Sequence, residues 1–131
     1  MRRQFTLPEE EEHYLDSLGL KWETLKESNL EWLIVYGLHV LDGYNVKQVD
    51  VAFTIPSGYP IAALDMAYFY PALKRIDGIT IKATESTQPL DEKSWQRWSR
   101  HRTVQNPWDP EKDSIITHFI SIIYWLEREF K

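Results

Sequence analysis

The residues best suited to chemistry lie in one short stretch, residues 95–102, which reads Trp-Gln-Arg-Trp-Ser-Arg-His-Arg. Loops usually use glycine, asparagine and serine for turns, so two tryptophans, three arginines and a histidine indicate a segment held against the fold. Ser99 is the candidate nucleophile, and His101 is the nearest candidate general base. An extended backbone places both side chains on one face, so the imidazole is expected within reach of Ser99 Oγ. The stretch therefore predicts a serine nucleophile assisted by a histidine.

An alternative interpretation assigns no chemistry to this stretch. Ser99 is then an ordinary loop hydroxyl and His101 a satisfied polar contact, while the nearby tryptophans belong to the core and clamp a long loop. Those tryptophans are Trp95, Trp98 and Trp108. Thr84 is a further rival hydroxyl, and the alternative nucleophiles are Thr80, Ser86 and Thr87.

Composition excludes several other chemistries. The chain has no cysteine, which removes disulfides, thiolate metal sites and thiol nucleophiles together and fits a reducing cytoplasm. The four histidines show no metal-ligand spacing, the glycines form no phosphate-binding loop, and no G-x-S-x-G elbow indicates a conventional hydrolase. Asp65 and Asp91 are interpreted as solvated or capping groups rather than a catalytic carboxylate pair. We therefore expect neither a metal ion nor a cofactor.

Charge and hydropathy restrict the possible partners. The 131-residue chain has a net charge of −5, which argues against nonspecific nucleic-acid binding. Residues 97–102 still form a local basic patch, which is typical of a docking site for an acidic partner. No apolar signal follows the N-terminus, and the longest apolar stretch, residues 115–126, is too short to span a bilayer. We expect a cytoplasmic protein that contacts no nucleic acid and no membrane.

Hydrophobic periodicity predicts a single α+β domain over residues 1–131. A helix is expected over residues 8–18, with Thr6 as its N-cap. A four-stranded antiparallel meander is expected from residues 21–25, 31–40, 48–54 and 64–69. Residues 71–112 are broken by prolines and charges, which is typical of a functional loop. The last helix is expected to begin near Asp113, as its N-cap, and to pack on the sheet.

Several short motifs occur in a characteristic order. They are Ile-Pro-Ser-Gly-Tyr-Pro at 55–60, Tyr-Pro-Ala at 70–72, Asp-Gly at 77–78 and Trp-Asp-Pro at 108–110 before a helix. This order resembles the ubiquitin-conjugating enzyme (UBC) fold, in which the catalytic cysteine precedes a Trp-Ser-Pro motif. The stretch at 95–101 more closely resembles the prokaryotic family E of ubiquitin-conjugating-like proteins, which is found beside ubiquitin-like proteins and an adenylating activating enzyme. The resemblance covers residues 5–131.

Two departures from the resembled family bear on mechanism. No cysteine is present, so a thioester is excluded, and Ala72 stands where the wider family has an asparagine. Ser99 lies nine residues before Trp108, close to the spacing of the family's cysteine, whereas counting forward from the Tyr-Pro-Ala motif selects Thr80. Twenty-six residues separate Ala72 from Ser99, which implies an insertion relative to the family. We favour Ser99 because packing holds the helix junction while the intervening loop varies.

The resemblance implies a carrier that accepts a bacterial ubiquitin-like protein from an adenylating activating enzyme as an oxyester on Ser99 and transfers it to an acceptor. The first helix and neighbouring loops would dock the activating enzyme. The supporting residues are Arg97, Trp98, Arg100, Trp108 and Asp109. Arg97 or Arg100 would polarise the ester carbonyl, and Asp109 or Asp113 would orient the incoming amine.

Two other functions fit the same residues. One is a catalytically inactive UBC-like binding module that positions the ubiquitin-like protein for another component. The other is a serine hydrolase that releases free modifier without ATP. The resemblance also suggests a role in antiviral defence.

Overall fold

The computed structural model describes residues 1–131. It contains two helices and six strands, in the order α1 (Glu9–Ser17), β1 (Trp22–Glu27), β2 (Leu30–His39), β3 (Gln48–Thr54), β4 (Ala67–Tyr70), β5 (Thr87–Leu90), β6 (Lys93–Trp98) and α2 (Ile115–Arg128). All six strands form one antiparallel sheet in the order β1-β2-β3-β4-β6-β5. The α+β class and the helix at each end of the chain are therefore as predicted.

The larger core lies between the helices and one face of the sheet. Helix α2 presents an apolar stripe to this core, and its spacing of three and four residues matches one face of a helix. The buried members of the stripe are Ile115, Phe119, Ile122 and Leu126. Strand β3 contributes Val49, Val51 and Phe53, which alternate along the strand as predicted. Burial of each such side chain stabilises the fold by about 1.5–3 kcal/mol.

A second, smaller cluster covers the opposite face of the sheet. It consists of Leu25, Trp32, Ile34, Ala52, Tyr68, Leu90 and Trp95. The sheet curls around this cluster so that its two edges approach each other. Arg2 Nη2 lies 2.7 Å from Asp91 Oδ2 and 2.9 Å from Glu23 Oε1, and the N–H of Asp91 donates to Glu27 Oε1 at 3.0 Å. These contacts join the β5–β6 turn to edge strand β1.

The prediction of four strands is wrong, because β5 and β6 form a hairpin within residues 71–112, the stretch predicted to be a loop. The two turn residues, Asp91 and Glu92, both have positive φ angles, of 52° and 64°. Such two-residue turns usually contain Asn-Gly or Asp-Gly, so this pair gives no turn signal in the sequence. Pro89 lies within β5 and is tolerated there because β5 is the last strand of the sheet.

Several predicted element boundaries are also corrected. Helix α1 begins after Pro8, and Thr6 does not cap it. Helix α2 is capped by Ser114, whose Oγ accepts a hydrogen bond from the N–H of Ile116 at 3.1 Å, so the predicted cap at Asp113 is one residue too early. Strand β4 begins at residue 67 rather than 64. Neither helix is both long and apolar enough to cross a membrane.

Candidate active site

The pairing of β4 with β6 determines which residues meet at the site. Ala67 lies opposite Trp98. Continuing this antiparallel register by one residue places Met66 beside Ser99, and the N–H of Met66 donates to the carbonyl oxygen of Arg100 at 3.0 Å. The residues before β4 are thereby held against the residues that follow β6.

Three side chains form a hydrogen-bonded relay at this junction, which we call the Ser99–His101–Asp65 relay. Ser99 Oγ lies 3.1 Å from His101 Nε2. His101 Nδ1 lies 3.0 Å and 2.9 Å from the two carboxylate oxygens of Asp65. The N–H of Met66 also donates to Asp65 Oδ1 at 3.1 Å, which holds the carboxylate in place. The relay therefore contains a hydroxyl, a base and a group that orients the base.

The contacts of His101 select its tautomer. A carboxylate only accepts hydrogen bonds, so in the neutral imidazole the nitrogen that faces Asp65 carries the proton and His101 Nε2 has a free lone pair. That lone pair can accept the proton of the Ser99 hydroxyl. The side chains of His101 and Asp65 are 57% and 43% exposed, so the relay is open to solvent and to a partner.

Buried packing fixes the end of β6 just before Ser99. Trp98 is fully buried, and its ring lies 5.0 Å from that of Phe69 in an edge-to-face arrangement. The indole N–H of Trp98 donates to Gln96 Oε1 at 2.9 Å. The same amide oxygen accepts from the N–H of Leu73 at 2.9 Å, and Gln96 Nε2 donates to the carbonyl oxygen of Leu73 at 3.0 Å. Trp98 therefore anchors the backbone just before Ser99 from the core side.

The segment before β5 holds the backbone on the other side of Ser99. The N–H of Ser99 donates to the carbonyl oxygen of Ala83 at 3.0 Å. Arg100 Nη1 donates to the carbonyl oxygens of Lys82 at 3.0 Å and of Ser99 at 3.1 Å. Burial lowers the pKa of Arg100, and its guanidinium carbon lies 4.9 Å from the Trp98 ring centroid. The guanidinium of Arg100 thus ties two segments together.

Arg97 is placed differently from Arg100. Its Nη2 donates to Ser86 Oγ at 3.2 Å, while its Nε is buried and has no hydrogen-bond partner. An unpaired buried N–H costs about 1–3 kcal/mol. Neither arginine side chain makes a hydrogen bond to Ser99 Oγ in this structure.

The segment after the relay is held by an ion pair and an aromatic ring. Arg102 Nη2 lies 3.1 Å from Asp113 Oδ1, and its guanidinium carbon lies 5.2 Å from the Trp108 ring centroid. Burial raises the pKa of Asp113, but the N–H of Asp109, at 2.8 Å, and the charge of Arg102 outweigh it, so the net pKa is lowered. Trp108 donates to the carbonyl oxygen of Pro60 at 2.8 Å. Asp109 and Asp113 make no hydrogen bond to the relay.

A cleft of about 400 Å³ lies beside the relay. Its lining includes Asp65, His101, Arg100, Arg102, Arg128 and Tyr124. His118, from helix α2, also faces it but is only 2% exposed, and its Nε2 donates to the carbonyl oxygen of Met66 at 2.8 Å. The cleft has room for a small part of a partner, with arginine side chains that favour negative or carbonyl groups.

The alternative nucleophiles lie in other surroundings. Thr80 is exposed between β4 and β5 and lines a separate pocket. Ser86 Oγ accepts a hydrogen bond from Arg97, and Thr87 begins β5. Thr84 Oγ1 donates to the carbonyl oxygen of Ile81 at 2.8 Å. None of these four hydroxyls is hydrogen-bonded to a histidine or a carboxylate, whereas Ser99 Oγ is.

Asp65 is the member of the relay that the sequence did not predict. It is interpreted there as a solvated or capping group, and the structure places its carboxylate on His101 Nδ1, 36 positions along the chain. No local pattern reports this contact, because the register of β4 against β6 produces it. Asp91 lies apart, in the ion pair with Arg2.

Comparison with known proteins identifies one family. The family model described as prokaryotic E2 family E matches residues 7–129, which is nearly the whole chain. No curated protein and no solved structure matches the chain.

Proposed function

The chain belongs to the prokaryotic E2 family E, and from this membership and the Ser99–His101–Asp65 relay we propose that it carries a ubiquitin-like protein as an oxyester on Ser99. The family supports a carrier in ubiquitin-like conjugation. The observation that supports serine chemistry is the 3.1 Å contact of Ser99 Oγ with a histidine whose other nitrogen is held by Asp65. The proposed donor is an adenylating activating enzyme, and the acceptor is an amine.

The loading step follows from the tautomer of His101. A serine hydroxyl is a weak nucleophile until a base removes its proton. His101 Nε2 takes that proton while Ser99 Oγ bonds to the C-terminal carbonyl carbon of the ubiquitin-like protein. The bond from that carbon to the activating group breaks, and His101 then returns the proton to the surroundings. Asp65 stabilises the imidazolium that forms between these events.

The transfer step reverses the role of the histidine. An incoming amine attacks the ester carbon, the bond from that carbon to Ser99 Oγ breaks, and the serine oxygen takes back a proton through His101. An oxyester is less reactive toward amines than a thioester, so the carbonyl oxygen needs a hydrogen-bond donor. The backbone N–H of Arg100 makes no hydrogen bond within the protein and directly follows the nucleophile. We assign it, with the neighbouring arginine side chains, to that role.

The proposed docking site for the activating enzyme is an acidic groove beside α1. The groove has a volume of about 500 Å³ and lies between the N-terminal segment, the β3–β4 loop and the start of α2. Its acidic lining residues are Glu10, Glu11, Glu31, Glu111 and Asp113. Negative charge there favours a basic surface on the partner, and its long-range attraction raises the rate of encounter.

The test of the proposed function is intact-mass spectrometry of the protein with its ubiquitin-like partner, the activating enzyme and ATP. We expect a covalent adduct that hydroxylamine removes, and we expect Ser99→Ala to abolish it. Ser94→Ala is the matched control, because Ser94 is exposed on β6, the strand that ends just before Ser99, and its hydroxyl makes no hydrogen bond. An adduct of equal yield in Ser99→Ala would refute the assignment.

The same experiment distinguishes the carrier from a catalytically inactive binding module. A binding module would retain the ubiquitin-like protein noncovalently in both the wild type and Ser99→Ala, without any adduct. That outcome would leave the family membership intact and refute the oxyester.

A further inference from the structure

The Ser99–His101–Asp65 relay is open to water. More than half of the His101 side chain is exposed, and so is a large part of Asp65. Ser99 is only partly buried at the end of β6. No element of the chain closes over these groups to exclude solvent from the hydroxyl. A water molecule can therefore reach any ester formed on Ser99 from the same side as a larger acceptor.

The chemistry of the relay does not distinguish an amine from water. A histidine that removes the proton of a serine hydroxyl removes the proton of a water molecule at the same position equally well. The orienting carboxylate holds the imidazole for both events. What normally protects an acyl intermediate is the exclusion of water, and the exposure of this relay removes that protection.

We propose that this chain is also an ATP-independent esterase that hydrolyses carboxylic esters through an acyl group on Ser99. The activity uses the same hydroxyl as the proposed carrier function but needs neither the ubiquitin-like protein nor the activating enzyme. Its substrates are esters of small or extended acyl groups that fit the cleft beside His101.

Both half-reactions balance with water as the only co-reactant. In the first, Ser99 Oγ bonds to the carbonyl carbon, the bond from that carbon to the alcohol oxygen breaks, and His101 passes the serine proton to the departing alkoxide. In the second, the water oxygen bonds to the same carbon and the bond to Ser99 Oγ breaks. His101 passes a water proton to the serine oxygen, and the products are a carboxylic acid and an alcohol.

The site favours esters over amides. An amide needs its leaving nitrogen protonated and its oxyanion held by well-placed donors before the bond breaks. The N–H of Ser99 already donates to the carbonyl oxygen of Ala83, so the N–H of Arg100 is the unpaired backbone donor that adjoins Ser99. One backbone donor, rather than a pair, suits the better leaving group of an ester. The activity therefore releases acyl groups from oxygen and leaves amide-linked conjugates intact.

The test uses the full chain alone with p-nitrophenyl acetate and without ATP. We expect a burst of p-nitrophenol equal in amount to the protein, then slower turnover, and one acetyl group mapped to Ser99 after an acid quench. Ser99→Ala should lose the burst and the acetyl group, and Ser94→Ala should keep both. His101→Gln should lower the burst rate constant by roughly 10²- to 10⁴-fold.

Asp65 is a positioning residue, so its test needs a readout beyond a slower rate. Asp65→Asn retains an acceptor for the N–H of Met66 but places an amide against His101 Nδ1. We expect a lower burst rate constant, because the tautomer of His101 is no longer selected, together with a changed pH profile, because the imidazolium loses the negative charge beside it. An unchanged profile in Asp65→Asn, or a burst that survives Ser99→Ala, would overturn the proposed esterase.

The two proposals fail separately. Hydrolysis of p-nitrophenyl acetate without an adduct to the ubiquitin-like protein would refute the carrier and leave the esterase standing. An adduct on Ser99 without any burst on the small ester would refute the esterase and leave the carrier standing.

Discussion

Protonation of the buried His118 should make the fold less stable in mild acid. This residue is 2% exposed, and its ring packs edge-on against Phe53 and Trp125 at centroid distances of 4.8 Å and 5.7 Å. Burial lowers the pKa of His118 to about 4, and the charge of Arg102 adds to this effect. The hydrogen bond to Met66 opposes it, as does the charge of Asp65. The folded protein therefore keeps this imidazole neutral.

The direction of the effect follows from the proton balance. The unfolded chain binds a proton at His118 near the ordinary pKa of 6.5, whereas the folded chain binds it only near 4. The stability that the neutral imidazole contributes is complete above pH 6.5 and is lost as the pH falls from 6.5 to 4. Between pH 7 and pH 5 this difference in pKa lowers the free energy of unfolding by about 2 kcal/mol.

The assay is urea unfolding at pH 7 and pH 5 for the wild type and for His118→Gln. Glutamine does not titrate, and its amide can donate to the carbonyl oxygen of Met66. The loss of stability between the two pH values should be about 2 kcal/mol larger in the wild type, which is a difference of about 1 M in the urea midpoint. Carboxylates that titrate near pH 5 are common to both proteins and cancel. Equal losses in the two proteins would show that His118 is not the group responsible.

Two further predictions concern the docking groove and a backbone position. Reversing charge with Glu10→Lys or Glu111→Lys should slow the rate at which the activating enzyme loads the ubiquitin-like protein, when that rate is measured at low salt. At about 1 M salt the variants and the wild type should load at the same rate, since charges are screened over about 3 Å there. The same slowing at both salt concentrations would exclude an electrostatic role. Gly43 has a φ of +112°, and a Cβ there would lie 2.8 Å from two ring atoms of Phe130. Gly43→Ala should lower the free energy of unfolding by about 1–3 kcal/mol in urea. Gly19→Ala is the control, because Gly19 also has a positive φ but a Cβ there would have no atom within 4 Å. An equal loss of unfolding free energy in Gly19→Ala would exclude the contact with the Phe130 ring as the cause.

The proposed carrier function and the proposed esterase activity place opposite demands on one relay. A carrier must keep its ester long enough for an acceptor to arrive, while an exposed base shortens the life of that ester. In the absence of an acceptor, an ester formed on Ser99 as proposed should therefore be lost to water at a rate that depends on His101. A partner that covers the cleft beside the relay would slow this loss without changing any residue.

Local patterns predicted the parts of the fold that depend on neighbouring residues. The alternation of Val49, Val51 and Phe53 identified β3, and the apolar stripe from Ile115 onward identified α2. The hairpin of β5 and β6 was missed because its turn has two non-glycine residues at positive φ and because Pro89 lies in a strand. Such a proline is acceptable only at the edge of the sheet, and the residues of one strand do not show whether that strand lies at the edge.

The amino-acid sequence alone determined which chemistry is open to this chain. Without cysteine no thioester can form, and the spacing of Ser99 and His101 along an extended backbone predicted the contact between the hydroxyl and the imidazole. Only the tertiary structure decided that Asp65 completes the relay. Its carboxylate reaches His101 because β4 pairs with β6, and in that register Ala67 lies opposite the buried Trp98. Contacts between distant residues are set by strand pairing and burial, which no short stretch of sequence contains.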